Sequence, residues 1–361
     1  MPDELELLRQ LVAIPSVSGE EAAIASFVEE SVRGWGLDVV RDDTSVRVEV
    51  KGQSDGPTLA LVSHLDVVPP GAGWTRDPFT PTIEGERLYG RGSGDAKASV
   101  AAMLTAAHDR AAARDLAGGR LLVILGYGEE TKNTTMERAV ERAGPIDAAV
   151  IGEPTNLNIA TAQRGLMMVD LVARGEQRHA GYAASNGEFV NAALVLARDL
   201  LQLAELFHDR THPVLGRTAA TPTMLDAGVS RNVTPPVARA ILDVRSTPDW
   251  THEEIAELLR ARMRSEVVIT SRRLVPCETP AESRLLQAAM GVRPESSTFG
   301  SPTCSDWVFL RHVDAIKCGP GTSRRSHTAD EHVDLPEVTA ARKFYGQVAR
   351  AYLGENRKAA H

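Results

Sequence analysis

The feature that most constrains the fold is a change of pattern in the middle of the chain. On either side of it, short apolar runs alternate with helical patterns, which is typical of an α/β sheet. In between, the predicted order is strand, helix, strand, strand, helix, strand, the split βαβ pattern. These six elements cover residues 166–173, 189–206, 219–226, 238–245, 253–264 and 267–270. We therefore predict a complete α+β unit inserted into an α/β domain.

The length of the chain agrees with this division. At 361 residues it exceeds one ordinary domain, and two are expected. The flanking parts carry apolar strand patterns at residues 58–63, 121–125 and 148–151. We place the inserted domain at residues 166–272. The two parts of the other domain are then residues 1–165 and 273–361, with a mixed sheet flanked by helices.

Composition narrows the range of functions. The formal net charge is −8 and the basic residues are scattered, so the sequence predicts no surface for nucleic acid. No apolar stretch approaches the ~20 residues of a membrane span, and the first residues carry charges where a secretion signal is apolar. The three cysteines form no CxxC pair, which favours free thiols in a reducing cytosol. We therefore expect a cytoplasmic protein that binds neither nucleic acid nor membranes.

Polar residues follow the predicted strands where each strand ends. His64 comes directly after an apolar run, and Asp66 shares its face because side chains alternate along a strand. Asp66 could therefore hold the His64 ring in the tautomer that binds a metal. Taken alone, this pattern is better explained as chance polar residues.

Three further positions repeat the pattern. Asp95 lies in a glycine-rich turn before a helix, and that turn lacks the spacing of the standard nucleotide-binding motifs. Glu129 and Glu130 follow a second strand, where adjacent carboxylates repel one another unless a cation or proton is shared. Glu153 follows a third strand. Each residue alone could be a solvated loop residue or a helix cap.

Together these residues indicate a metal site. Mixed histidine and carboxylate ligands suit zinc and similar divalent ions. Two such ions held close together need a bridging carboxylate, and a carboxylate that binds no metal must then act as base. The sequence supplies a residue for each of these tasks.

Seven segments, in the same order and over essentially the whole chain, carry a family resemblance. They are His64-Leu65-Asp66-Val67-Val68-Pro69, Trp74-Thr75-Arg76-Asp77-Pro78-Phe79, Leu88-Tyr89-Gly90-Arg91-Gly92, Asp95-Ala96-Lys97, Glu129-Glu130, Gly152-Glu153-Pro154-Thr155 and His327-Thr328-Ala329-Asp330-Glu331. In these segments the sequence resembles the M20 metallopeptidase and amidohydrolase family. That family includes acetylornithine deacetylases, succinyl-diaminopimelate desuccinylases, aminoacylases and carboxypeptidases.

The resemblance implies two zinc ions, for which cobalt or manganese could substitute. It implies that His64, Asp95 and Glu153 hold one ion. Asp95, Glu130 and His327 would hold the other, so that Asp95 bridges the two.

The resemblance also implies how the reaction would run. Glu129 would be the general base that works on a metal-activated water, and Asp66 would orient His64. A cis peptide bond is expected after Asp95. The fold implied is a zinc-peptidase-like catalytic domain with a ferredoxin-like lid.

The lid, residues 166–272, is also expected to form a homodimer. His179 resembles the lid histidine that polarises the scissile carbonyl, and the resemblance implies that it enters the partner's site. Asn232 and Arg245 match residues that grip a substrate carboxylate, and Arg164 resembles a residue near the acyl pocket.

Two segments depart from the family pattern. Arg178 precedes the lid histidine where a small residue is usual, which affects the placement of His179. Thr131-Lys132-Asn133 replaces the glycine-rich turn that commonly follows the paired glutamates, which affects the rim of the pocket. Neither departure changes a predicted metal ligand.

Finer features favour one branch of the family. Residues 74–79, 299–306, 319–321 and 326–331 look most like acetylornithine-deacetylase-type enzymes of arginine biosynthesis. We therefore expect removal of an acetyl-type group from an amino acid such as N-acetylornithine. N-acetylcitrulline or N-succinylornithine deacylases, dipeptidases and carboxypeptidases remain alternatives, since specificity can depend on one methylene or hydrogen bond. A metal-free binding module is disfavoured because all five predicted ligands and the base are present.

Overall fold

The computed structural model describes residues 1–131, 133–185 and 189–354. These residues form two compact units. The first contains Met1–Thr161, Thr279–Phe299 and the described residues from Ser305 onward. The second contains Ala162–Glu278 and Gly300–Cys304.

The described residues form the following helices and strands, numbered in chain order. The helices are α1 Glu4–Val12, α2 Ala22–Gly34, α3 Lys97–Ala113, α4 Thr134–Ala143, α5 Ala180–Ser185, α6 Ala192–Gln202, α7 His252–Arg262, α8 Arg284–Val292 and α9 Leu335–Gly354, with 3-10 turns at Leu203–Glu205 and Asp306–Leu310. The strands are β1 Asp38–Arg41, β2 Ser45–Lys51, β3 Thr58–His64, β4 Thr82–Glu84, β5 Arg87–Tyr89, β6 Arg120–Gly126, β7 Ala148–Ile151, β8 Ile159–Gln163, β9 Leu166–Arg174, β10 Ala219–Ala227, β11 Val237–Arg245, β12 Glu266–Leu274, β13 Cys277–Glu278, β14 Thr298–Ser301, β15 Asp314–Lys317 and β16 His332–Asp334.

The main sheet of the first unit runs in the order β1-β2-β6-β3-β7-β15-β8. Its centre is parallel, because β3 pairs in parallel with β6 and β7, and β15 pairs in parallel with β7. Every residue of β3 is buried, as expected for a central strand with helices on both faces. The antiparallel pairing of β2 with β6 makes the sheet mixed. The predicted mixed α/β fold class is confirmed.

The second unit has an antiparallel sheet in the order β10-β11-β9-β12. With α6 and α7 it follows the predicted order of strands and helices and has the ferredoxin-like strand arrangement. Alternate residues of β9 are buried, so one face of the sheet covers the core of this unit. Helix α7 begins with a capping box in which Thr251 and Glu254 satisfy each other's main-chain donors.

None of the helices in the described part of the chain is both long and apolar enough to cross a membrane.

Candidate metal centre

The register of the parallel strands brings the predicted ligands to one edge of the sheet. His64, the last residue of β3, pairs with Gly126, the last residue of β6. Val62 of β3 pairs with Ile151, the last residue of β7. The carboxyl ends of these strands are therefore level, and the loops that carry Glu129–Glu130 and Glu153 start side by side. This is where ligands bind in open α/β sheets.

Two histidines approach opposite oxygens of one aspartate. The His64 Nε2 atom lies 3.4 Å from Oδ1 of Asp95 and 3.9 Å from Oε1 of Glu153. The His327 Nε2 atom lies 3.7 Å from Oδ2 of Asp95 and 2.9 Å from Oε2 of Glu130. The structure thus brings the five residues close together, and Asp95 faces both histidines.

The donor atoms of this cluster fit a cation. Ligand atoms of His64, Asp95 and Glu130 all lie within 4.8 Å of one another. Both His64 Nε2 and Asp95 Oδ1 are buried, and neither makes a hydrogen bond to any described residue. A buried polar atom without a partner costs about 1–3 kcal/mol, so a metal ion between these atoms would remove a real penalty.

Electrostatics at the site favour the same conclusion. Burial, and then the negative charge of Asp95, raises the pKa of Glu153 to about 8. Burial, and then the charge of Glu153, raises the pKa of Glu129 well above its usual range. Burial lowers the pKa of His64, but the neighbouring carboxylates of Asp66 and Asp95 outweigh it and raise the pKa well above its usual value. The ionised carboxylates therefore repel one another, and a divalent cation between them would relieve that repulsion.

Asp66 connects His64 to the paired glutamates. His64 Nδ1 lies 2.9 Å from the main-chain oxygen of Asp66 and 3.5 Å from its carboxylate. That carboxylate accepts the main-chain N–H groups of Glu129 and Glu130 at 3.0 and 3.1 Å, and the hydroxyl of Ser18 at 2.7 Å. Asp66 therefore contacts His64 mainly through its own main chain, while its side chain fixes the loop that carries Glu129 and Glu130.

A buried glutamate that sequence reasoning left without a task holds the loop of Asp95. The Glu331 side chain is 1% exposed and pairs with Arg91 at 2.5 Å. Its two oxygens also accept the main-chain N–H groups of Gly92, Gly94 and Asp95. The peptide bond that follows Asp95 is cis, as predicted. The signal in the sequence was Glu331 itself, a carboxylate shortly after the predicted ligand His327.

Sequence reasoning also missed a pair of residues that lies beside the predicted base. The amide nitrogen of Asn133 lies 3.2 Å from Oε1 of Glu129 and 3.2 Å from Oδ1 of Asp306. Asn133 and Asp306 are both buried. The departure from a glycine-rich turn at residues 131–133 was the only sequence signal for this contact.

The predicted lid residues lie in the second unit. His179 and Asn232 are exposed, and their segments pair: His179 bridges to Val233, and the Ala180 N–H donates to the Asn232 carbonyl at 2.8 Å. Arg245 forms a two-point ion pair with Asp243, with distances of 2.7 and 3.0 Å.

Arg164, also in the second unit, is engaged differently. Its guanidinium donates to the main-chain carbonyls of Arg217 at 2.7 Å and Arg245 at 3.0 Å, and also to that of Leu215. These bonds join separate segments of the second unit. A substrate contact by Arg164 stays a prediction.

Comparison with known proteins agrees with this geometry. The sequence model of the peptidase family M20/M25/M40 matches residues 60–351. The chain belongs to this family. It is a metal-dependent hydrolase, and the predicted family membership is confirmed.

The similarity to individual relatives covers nearly the whole chain. Succinyl-diaminopimelate desuccinylase 2 of a Ruegeria species is 30% identical, covering 99% of this chain and 96% of its own length. Among solved structures, an M20 family metallo-carboxypeptidase of Sulfolobus solfataricus superposes with a TM-score of 0.78 at 20% identity, covering 98% of this chain and 100% of its own. A dinuclear metal-binding M20 peptidase of Bacillus subtilis gives a TM-score of 0.75 at 17% identity, covering 97% and 98%. The two structural likenesses establish the fold.

Proposed function

We propose that this protein is a two-metal amidohydrolase that removes an N-acyl group from an amino acid, with N-acetylornithine as the first candidate substrate. The observation that carries the proposal is the position of Asp95, whose two oxygens face His64 and His327 separately. A carboxylate placed in this way can serve two ions at once. The acetylornithine candidate would place the enzyme in arginine biosynthesis.

Five residues would hold the ions. His64, Asp95 and Glu153 would bind one, and Asp95, Glu130 and His327 the other. Nitrogen and carboxylate ligands suit zinc, with cobalt or manganese as substitutes. When bound, such ions polarise the scissile carbonyl and lower the pKa of the attacking water.

Glu129 would move the proton. It takes one from the water as the water oxygen bonds to the amide carbon. When the carbon–nitrogen bond breaks, Glu129 returns that proton to the departing amine, leaving an acid and a free amino group. Its neighbour Glu130 lies against His327, whereas Glu129 contacts Asn133, which supports Glu130 as the ligand and Glu129 as the base.

The acyl group has a second candidate. The Ruegeria relative is named for removal of a succinyl group, and it covers nearly all of this chain. We therefore include N-succinyl amino acids as the alternative to N-acetyl substrates. A dipeptidase or carboxypeptidase activity would be revealed by the same assays.

We propose that the inserted domain, residues 166–272, acts as a lid and mediates a homodimer. His179 would aim at the developing oxyanion, Asn232 and Arg245 would hold the substrate carboxylate, and Arg164 would lie near the acyl pocket. Among the described strands β10 pairs only with β11, and its Met224 and Leu225 are 63% and 64% exposed. Proteins usually cover such an apolar edge, and a second copy of this strand would do so.

The decisive experiment is a hydrolysis panel with zinc-loaded protein, run beside metal analysis. The panel contains N-acetyl and N-succinyl forms of ornithine, citrulline and diaminopimelate, together with dipeptides. We expect about two metals per chain and release of free amine from an N-acyl amino acid. Fewer than one metal per several chains, with no hydrolysis after zinc or cobalt addition, would instead indicate a binding module.

A further inference from the structure

We propose that Asn133, held by Asp306, is a positioning residue that fixes the carboxylate of the base Glu129. The inference rests on the proposed function, because it assigns Glu129 the proton transfer. It explains why asparagine occupies position 133, in the segment that departs from the glycine-rich turn usual after the paired glutamates.

The contacts define which way the amide faces. Asn133 is 6% exposed and Asp306 is 2% exposed, so both act in the interior of the protein. The Asn133 Nδ2 atom lies 3.2 Å from Oε1 of Glu129 and 3.2 Å from Oδ1 of Asp306. A carboxylate that acts as a general base is ionised and only accepts hydrogen bonds, and an amide NH₂ has two hydrogens to donate. The nitrogen must therefore face both acids, and one amide group links them.

The backbone around Asn133 delivers its side chain to this place. The main-chain N–H of Asn133 donates to the carbonyl of Gly128 at 3.0 Å and closes the turn after the paired glutamates. Asn133 has φ of 46°, in the left-handed region that asparagine tolerates better than most residues. A glycine here would adopt the same torsion easily but would bring no amide.

The Asn133 side chain does not cap the helix that follows it. Asn133 occupies the N-cap position of α4, where asparagine commonly accepts a hydrogen bond from the first turn of the helix. It makes no such capping bond. Its amide nitrogen instead donates to the two carboxylates, which favours a role at the site over a role in starting the helix.

The bond leaves one oxygen of Glu129 available for the proton. Asn133 donates to Oε1, and the hydrogen bond found from the described residues to this carboxylate leaves Oε2 open. A carboxylate fixed at one oxygen keeps the other in a defined direction, and orientation of this kind contributes to catalysis. Asp306 acts through Asn133, because its contact stops the amide from turning away.

The kinetic test compares Asn133→Ala with Thr131→Ala. Thr131 is exposed in the same turn and serves as the control for disturbance of the loop. Because hydrogen bonds to charged groups are strong, Asn133→Ala should lower kcat about 10- to 100-fold, with KM and metal content nearly unchanged. Asp306→Asn, which keeps the shape, should lower kcat by less. Thr131→Ala should match the wild type.

A double mutant decides whether Asn133 acts through Glu129. Combined with Glu129→Gln, Asn133→Ala should cause little further loss of the residual activity, since the group it positions no longer serves as base. A further loss as large as in the single variant would overturn the proposal. So would an Asn133→Ala enzyme with wild-type kcat, or one that loses its metals.

A second measurement is independent of turnover. In chelator-treated protein, the melting-temperature shifts of Asn133→Ala and Glu129→Ala should not add in the double variant, because both remove the same bond. Additive shifts would overturn the contact itself. If the wild type hydrolyses nothing in the panel, the proposed function fails, and this cycle still decides whether the contact exists.

Discussion

The residues predicted for catalysis lie in two very different settings. In the first unit, His64 and Glu130 are buried or nearly so, at 1% and 8% side-chain exposure, and His327, although 52% exposed, contacts Glu130. In the second unit, His179 and Asn232 are exposed, and Arg245 pairs with the neighbouring Asp243. One region is organised before any ligand arrives, whereas the other keeps its polar groups at the surface.

The difference follows from the cost of burying charge. A buried carboxylate must be compensated by hydrogen bonds or ions, and those partners must be in place when the protein folds. Asp66 accepts two main-chain N–H groups and Glu331 accepts three, which meets that demand. Exposed groups such as His179 remain hydrated, so they need no protein partner until a substrate or a second subunit binds. The predictions below test this contrast, from the largest expected effect to the smallest.

The largest effect should come from the organised region. Glu129→Gln should lower kcat by about 10²- to 10⁴-fold, the usual contribution of a general base, while both metals remain bound. The control is Glu130→Gln, which should lower the metal content as well as the activity, because Glu130 contacts His327. Steady-state kinetics and elemental analysis on the same samples measure both quantities. Near-normal turnover of the Glu129→Gln enzyme would show that Glu129 is not the general base.

His179 tests whether the second unit completes a site of the partner subunit. Alone, His179→Ala should lower kcat about 10²- to 10³-fold, as for loss of an oxyanion donor. Mixed in equal amounts with Glu129→Gln, it should recover about one quarter of wild-type activity after subunit exchange, since half of the dimers are mixed and each has one intact site.

The mixing experiment needs proof that subunits have exchanged, for example by mass spectrometry of one isotopically labelled variant. Exchange without recovered activity would place His179 in its own subunit's site or outside catalysis. In that case the exposed β10 edge would need another explanation.

Arg245 and Arg164, both in the second unit, should differ in what they contribute. Arg245→Ala should raise KM about 10-fold for substrates with a free α-carboxylate. This loss of binding is at the low end for a hydrogen bond to a charged group, because Arg245 must break its ion pair with Asp243 before it binds the substrate. Arg164→Ala should instead lower the melting temperature by a few degrees, because three main-chain carbonyls lose their donor. Kinetics on a substrate and its carboxamide, with thermal melts, separate the two. An Arg164 variant of normal stability but raised KM would support the acyl-pocket prediction.

Local sequence patterns indicated the residues at strand ends, the family resemblance alone linked the distant His327 to them, and two other contacts between distant residues were missed. His64 and the paired glutamates were found because strand ends and turns are encoded by neighbouring residues. Asp306 lies 173 residues beyond Asn133, and Glu331 lies 236 residues beyond Asp95, so their contacts depend on the fold. The edge strand β12 also extends past the predicted residues 267–270, because its polar end carries no apolar period.

The smallest effect concerns stability of the metal-free protein. Burial and the charge of Asp95 raise the pKa of Glu153 from 4.5 to about 8, so the folded chain binds this proton more tightly than the unfolded chain. Stability from this group is therefore complete below about pH 4.5 and is lost as the pH rises towards 8. The pKa of Glu129 is raised for similar reasons and acts in the same direction.

We therefore expect the melting temperature of chelator-treated protein to fall between about pH 5 and pH 8, by a few degrees more than that of metal-loaded protein. Glu153→Gln should flatten this decline, because the glutamine has no proton to lose. Glu254→Gln in the second unit is the matched control: hydrogen bonds from Thr251 and Arg210 lower the pKa of Glu254 to about 2, so its contribution is lost only in acid. Equal slopes in wild type and Glu153→Gln would mean that the carboxylate cluster is not electrostatically strained without metal. The contrast between the two regions would then rest on burial alone.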